Sequence, residues 1–352
     1  MKVGIYFFVR THSSFLDELL AQVPDDSEVD LFCTNSYKHL KSNKVNIHPV
    51  SLFKLLFKAN SYDRIIIDEV TGRYLFWLPL FLFWRQNTYL VLHNLKSWIK
   101  PVFFSTVSGF LNSVLRRIIF IAFKHYIVVG TRMKSYGETH SKNKNFYFVP
   151  FGLSAKCCNV IKSEDDERLF IVVPGTVSSR RKYEWILGVL DDYTFESKVY
   201  FALLGKPGDE YGNRIIKYIK EREYSNISIF ESYIPENVYN KYMNKADFIL
   251  SDFDLDYKTL YGQIETYGET KETGVSFLLL SYEKPGLLPE GFQYMEELNT
   301  QIASFDSLES LKKILSEFSS KRDMIYKLGE KAVSNRALLA SKVDNIFIDF
   351  KY

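Results

Sequence analysis

The chain has three cysteines in 352 residues, Cys33, Cys157 and Cys158. They are too few for a disulfide framework and wrongly spaced for a zinc site, and they fit a reducing compartment. No apolar run reaches the ~20 residues that a membrane-crossing helix needs. The apolar start, Val3 to Val9, is shorter than a signal-peptide core and no small-residue cleavage site follows, so it reads as the first strand. A Gly-x-Ser-x-Gly elbow, a Walker loop and a G-x-G-x-x-G turn are all missing. Their absence argues against hydrolase, kinase and dinucleotide-oxidoreductase chemistry.

A further absence is local. From Val70 to Gly137 there is neither Asp nor Glu, while the span carries nine cations: Arg73, Arg85, Lys96, Lys100, Arg116, Arg117, Lys124, Arg132 and Lys134. Set against the whole-chain charge of +3, these nine leave the remainder at −6. The same span holds the aromatic-apolar runs Leu75–Trp84 and Ile118–Phe123. Cations interleaved with Trp and Phe suit a surface lying on anionic lipid. Nucleic acid is not expected as a partner, because no recognised binding motif accompanies the charge.

What is present is a folded, two-domain composition, 46% hydrophobic and 25% charged. Short β-branched or aromatic runs alternate with helical stretches, the pattern of parallel sheets covered by helices. The first half predicts strands at Val3–Val9, Val29–Thr34, Arg64–Asp68, Tyr89–His93 and Tyr126–Val129, with helices at Leu16–Val23, Tyr74–Trp84 and Val102–Lys124. A charged segment around Ser163–Glu167 marks the boundary between domains 1–150 and 151–352. The second half restarts the alternation with strands at Leu169–Val173, Val199–Leu204, Ile227–Phe230, Phe248–Leu250 and Phe277–Leu280. Its helices are expected at Tyr183–Leu190, Tyr211–Arg222, Pro235–Met243, Lys271–Ser276, Ser307–Phe318 and Arg322–Leu339. Two α/β halves imply two Rossmann-like domains facing each other across a cleft. Ligands are then expected at the carboxyl ends of the strands.

The most informative segment is Val172 to Trp185. A strand ends at Gly175, Thr176 opens a polar loop, and Arg180, Arg181 and Lys182 precede a helix. Backbone amides, guanidinium and ammonium groups together suit a diphosphate. In the segment Tyr267 to Gly274, glycines at 268 and 274 let amides approach an anion. There Thr270, Lys271 and Thr273 are candidate donors to phosphate or sugar, and Glu272, a candidate acceptor from ribose or sugar hydroxyls, is the candidate catalytic residue on the donor side. Asp252, Asp254 and Asp256 read as a solvated loop rather than metal ligands. In the first half, His93-Asn94, Asp68-Glu69 and His12 follow strands and are candidates to orient an acceptor, with His93 the first choice as catalytic residue. His125, at a strand start, reads as structural.

At these residues the chain resembles the two-domain (GT-B) glycosyltransferases, especially the retaining group that builds bacterial surface polysaccharides. Gly175, Arg181 and Lys182 stand at that group's spacing for the donor diphosphate. The strand ending at Gly205, the segment Ile229–Tyr239 and the strand Lys245–Ser251 follow in that group's order. The resemblance covers most of residues 148 to 290. It departs at Glu265 and Glu272, which are seven positions apart where relatives carry two glutamates eight apart. It implies transfer from a nucleotide-sugar donor to a glycan or lipid-linked acceptor, at the cytoplasmic face of the cell membrane, with no cofactor and no metal. A nucleotide-sugar epimerase would need the same diphosphate site without the acid-free aromatic surface. A non-catalytic sugar- or lipid-binding subunit is the third reading, for which the glutamate spacing speaks.

Overall fold

The computed structural model describes residues 1–7, 13–34, 37, 40, 44–68, 77, 87–100, 107–154, 168–259 and 262–347. Apart from Trp77, the expected helix Tyr74–Trp84 lies outside the described residues, as do His12, Glu69, Arg73, Arg85, Cys157, Cys158 and the acidic segment Ser163–Glu167. The chain divides into two compact units. Unit 1 comprises Met1–Ser154, Asp256–Glu272 and Ser341–Tyr352, and unit 2 comprises Ala155–Leu255 and Thr273–Ala340.

Unit 1 is built on seven parallel strands: β1 (Lys2–Phe7), β2 (Glu28–Cys33), β3 (Val45–Pro49), β4 (Arg64–Asp68), β5 (Thr88–Leu92), β6 (His125–Val128) and β7 (Asn145–Phe148). Their order in the sheet is β3-β2-β1-β4-β5-β6-β7. Parallel strands are covered on both faces, so their sequences are continuous apolar runs such as Ile65-Ile-Ile67 and Tyr89-Leu-Val-Leu92, all buried. The crossovers are α1 (Ser13–Gln22), α2 (Leu52–Lys58), α3 (Lys96–Ile99), α4 (Val107–Ala122) and α5 (Thr131–His140).

Right-handed crossovers put α2 and α4 on the same face of this sheet, because β3→β4 and β5→β6 run in the same direction across it. Side chains agree with the rule. Phe120 of α4 stacks on Tyr126 of β6, with ring centroids 4.9 Å apart. The register carries Tyr126 through Leu90 and Ile67 to Tyr6, two residues from Gly4 on the same face. Over Gly4 lies Tyr62, which follows α2, so close that a Cβ on Gly4 would come within 2.9 Å of its ring.

Under α2 a buried carboxylate ties three elements together. Asp30 of β2 accepts from Tyr62 Oη at 2.7 Å and Lys58 Nζ at 3.0 Å, and lies 2.8 Å from His48 Nε2. Burial works to raise its pKa, but the hydrogen bonds from His48, Tyr62 and Lys58 outweigh it and hold the group at about 2.

Unit 2 repeats the plan with six parallel strands, β8 (Leu169–Pro174), β9 (Val199–Leu204), β10 (Ile227–Ser228), β11 (Phe248–Leu250), β14 (Gly286–Pro289) and β15 (Ile302–Phe305), in the order β10-β9-β8-β11-β14-β15. Around them lie α6 (Glu184–Leu190), α7 (Glu210–Arg222), α8 (Glu236–Lys245), α9 (Gly274–Tyr282), α10 (Leu308–Ser320) and α11 (Arg322–Lys342). Its core includes Ile171, Val189, Phe201, Phe248, Leu287 and Leu315, all buried. The intervening β12 (Asp256–Lys258) and β13 (Ile264–Thr266) form an antiparallel hairpin that belongs to unit 1.

One expectation is overturned here. Phe277–Leu280 is not a strand but the middle of α9, and the strand is β14, further on. A run of four large apolar residues has no periodicity to separate a buried helix from a buried strand. The ends decide it. Thr273 Oγ1 caps the helix by accepting from Val275 N, and Glu283 closes it in the left-handed conformation at φ +51°.

Candidate functional site

Unit 2 gathers its polar groups at the carboxyl end of β8. Gly175, with φ +99°, turns the chain out of the strand, and the Arg181 guanidinium lies where a side chain at 175 would stand, 2.7 Å from an added Cβ. Gly205, ending β9, packs so tightly that a Cβ would sit 2.0 Å from the Gly175 carbonyl oxygen. Only glycine fits this approach.

The cationic loop is docked on the end of β11. Arg181 Nη1 donates to Ser251 Oγ at 2.7 Å, and Lys182 N donates to Asp252 O at 3.1 Å. Lys182 Nζ lies 3.0 Å from Asp254 Oδ1, and the hydrogen bond to Asp254 is the main reason its pKa is raised. Arg180 and Thr176 are exposed beside them. Asp209 holds the loop from the other side, accepting from Ser179 N and Ser179 Oγ at 2.9 and 2.7 Å.

Asp252 departs from the expected solvated loop. It is 3% exposed, and neither carboxylate oxygen makes a well-formed hydrogen bond among the described residues. Burial pushes its pKa up to about 6, with Lys182 opposing and Glu184 and Asp254 adding to the rise. Asp254 and Asp256 are exposed, and among the described residues no group of three His, Cys, Asp or Glu is placed to hold a metal. Thr273 and Gly274 open α9, where Gly274 is exposed with open space around it.

Unit 1 gathers a second set at the ends of β4 and β5. His93 Nε2 lies 3.1 Å from Oδ1 of Asp68, which is fully buried. Phe15 and Phe151 flank the imidazole, with ring centroids 6.4 and 6.0 Å away. A carboxylate behind a histidine fixes the orientation and tautomer of the ring.

The hairpin is clasped to the turn that follows His93. Glu265 accepts from Lys96 N at 3.0 Å and Ser97 N at 2.8 Å, capping α3, while Thr270 O accepts from Leu95 N at 2.8 Å. Lys271 Nζ donates to Asn94 Oδ1 at 2.8 Å and sits over the Tyr257 ring. Thr270 is fully buried with its hydroxyl on Thr266 N, and Gly268 makes the turn at φ +83°. Glu272 is buried against Gly130, where a Cβ would meet its Oε1 at 2.6 Å.

The residues singled out in the sequence therefore fall into two sets. Gly175, Thr176, Arg180, Arg181, Lys182, Thr273 and Gly274 belong to unit 2, and His93, Gly268, Thr270, Lys271 and Glu272 to unit 1. Sequence reading missed Ser251 as the seat of Arg181 and Glu265 as the cap of α3. Their only signals were position, one immediately after a strand and one amid a polar hairpin. His125 is structural as expected, buried with Nδ1 3.1 Å from Tyr147 Oη and its pKa lowered by burial and then by Arg64 and Lys124.

No protein-family model matches the chain, and no curated protein matches it at a significant level. Solved structures do. The chain is similar to sucrose-phosphate synthase from Thermosynechococcus elongatus, with a TM-score of 0.60 at 12% identity over 96% of this chain and 94% of that one. It is similar to Anabaena HepE in complex with UDP and glucose, with a TM-score of 0.62 at 12% identity over 98% and 96%. A glycosyltransferase from Rickettsia africae matches with a TM-score of 0.62 at 12% identity over 98% and 95%. The fold is thus the GT-B architecture of two Rossmann-like domains.

Proposed function

We propose that the chain is a glycosyltransferase that moves a sugar from a nucleotide-sugar donor to a glycan or lipid-linked acceptor. The observation that carries the reading is the end of β8. There a left-handed glycine, a guanidinium and an ammonium stand in one loop, at a strand end of a fold similar to that of a protein solved with UDP and glucose. Unit 2 is the donor side in this reading. Arg181, Lys182, Arg180 and the amides at Gly175, Thr176 and Gly274 offset the charge that develops on the departing diphosphate. Preorganised donors of this kind each contribute ~10²–10³ in rate. With such groups in place, transfer requires no divalent metal. Unit 1 is the acceptor side, with His93 as the catalytic residue and Asp68 orienting it; Glu272, just before α9, is the second catalytic residue and acts on the donor. Gly268, Thr270, Thr273 and Lys271 shape the adjoining loop.

The acid-free surface completes the proposal: the enzyme works as a peripheral protein on the cytoplasmic face of the cell membrane. No helix among the described residues is long and apolar enough to cross a membrane. Along α4, Phe110, Leu111, Ile118 and Ile121 are exposed, an outward apolar stripe beside Arg117. Such a stripe suits lipid contact at the interface.

Titration calorimetry with UDP tests the donor side. Replacing Arg181 and Lys182 together with Ala removes two charge-assisted contacts worth about 1.5–3 kcal/mol each, a loss of at least a hundredfold in affinity. Sugar transfer by the native chain should survive EDTA. Unchanged UDP affinity in a folded double variant removes this loop from the donor site, and activity lost in EDTA and restored by Mn²⁺ removes the metal-free mechanism.

A further inference from the structure

A second polar concavity lies in unit 1, at the opposite end of the sheet from His93. It forms where α4 ends and β6 begins, encloses about 670 Å³, and receives cations from three segments: Lys100 after α3, Arg117 and Lys124 at the end of α4, and Lys142 and Lys144 after α5. Among the described residues no carboxylate lines it. Two of the cations are held in place by main-chain oxygens rather than by acids. Arg117 Nη1 donates to Ile99 O at 2.6 Å, and Lys144 Nζ donates to Ile121 O and Phe123 O at 2.6 and 2.5 Å. Both also lie over the Phe120 ring, which rigidifies them further. Lys100, Lys124 and Lys142 are exposed around this fixed pair.

Like charges gathered without a counter-charge repel one another. The Lys144 pKa is lowered by burial and then by Arg117 and Lys124. Folding holds the cluster together against that repulsion, which an arriving anion would relieve. Part of the lining is apolar: Ile99, Phe120, Ile121 and Ala122 share the niche with the cations, and Ile121 is 61% exposed. From Ile121 the exposed stripe of α4 runs back along the helix to Phe110.

A second apolar-basic patch stands on the same face of the sheet. On α2, Phe53 and Phe57, one turn apart, are exposed, Phe57 at 88%, with Lys54 beside them. A free soluble anion would need the cations but not the apolar flank. A phospholipid uses both, phosphate among the cations and acyl chain along the stripe.

We propose that the niche formed by Lys100, Arg117, Lys124, Lys142 and Lys144 binds the phosphate headgroup of an anionic membrane lipid, whose acyl chains lie along the exposed stripe of α4. This deepens the membrane reading above and rests on it. The niche is an anchoring site, remote along the strands from His93, so it sets where the enzyme sits rather than what it transfers.

The test is co-sedimentation with vesicles of phosphatidylcholine alone and of phosphatidylcholine mixed with phosphatidylglycerol. The native chain should bind the mixed vesicles and release them as salt rises. The combined variant Lys100→Glu, Lys124→Glu and Lys142→Glu should bind them about a hundredfold more weakly, since each cation near an anionic surface contributes a factor of about five. A control with the same net charge, Lys241→Glu, Lys313→Glu and Lys327→Glu on unit 2, should bind as the native chain does. Glycerol phosphate at millimolar concentration should not displace the protein, because it lacks the acyl chain. Native binding that survives in the niche variant, or is lost equally in both variants, overturns the niche while leaving membrane association standing. No binding by the native chain overturns both, and displacement by glycerol phosphate assigns the niche to a soluble phosphate. None of these outcomes bears on sugar transfer to a soluble acceptor, which is measured separately.

Discussion

Asp252 and Asp30 are both buried aspartates in parallel sheets, and their surroundings drive them in opposite directions. Asp30 has a hydroxyl, an ammonium and an imidazole around it and is held at about 2; Asp252 lacks such a set and is pushed by burial to about 6. The signs of their contributions to stability differ accordingly. For Asp30 the folded pKa is depressed, so its contribution is present above pH ~4 and is lost as pH falls towards 2. For Asp252 the folded pKa is raised, so folding is penalised as pH climbs through 6 and the penalty is absent below pH ~4. A shift of about two units corresponds to about 3 kcal/mol. Asp252→Asn should therefore stabilise the protein by up to about 3 kcal/mol at pH 8 and by almost nothing at pH 4. Urea unfolding at the two pH values measures this, and an equal effect at both would mean that Asp252 does not titrate in this range. Residues that lower stability while lying at strand ends are retained where function needs them.

At the scale of elements, the hairpin β12–β13 is the least conventional piece. Its Glu265 caps a helix of one turn, α3, by accepting from the two leading amides, which a helix start leaves without an intrahelical partner. Glu265→Ala should destabilise the fold by about 2–4 kcal/mol by leaving two amides unpaired. Glu265→Gln, which keeps an acceptor oxygen, should lose less; equal losses in urea unfolding would show that charge rather than hydrogen bonding matters. The clasp also shows where sequence reasoning stops. Arg64–Asp68, Val199–Leu204 and Phe248–Leu250 were legible because a buried parallel strand must be continuously apolar. The end of β8 was legible because its glycine and cations are adjacent in the chain. Glu265 and Lys96 are far apart in sequence, and nothing in either segment announces the other. Val45–Pro49 and Ile302–Phe305 escaped because edge strands alternate with polar residues and resemble loops.

At the scale of the molecule, unit 1 is assembled from three separate stretches of chain. A fragment of residues 1–154 lacks the hairpin that engages Leu95, Lys96 and Ser97, and it lacks Asp344, which pairs with Lys134 Nζ at 2.7 Å and accepts from Phe148 N at the end of β7. The fragment should unfold at much lower urea than the whole chain, or fail to fold; a fragment as stable as the intact protein would show that the two later stretches add nothing. The same arrangement has a consequence for synthesis. A ribosome delivers β7 well before Asp344, and at ~5–20 residues per second the wait is about 10–40 s. During that interval the first sheet has all its strands but lacks its pin, and for the first part of it, until β12 and β13 have been made, it lacks its clasp as well. The half made first is the half completed last, when Asp344, just past the end of α11, reaches Lys134 and the end of β7.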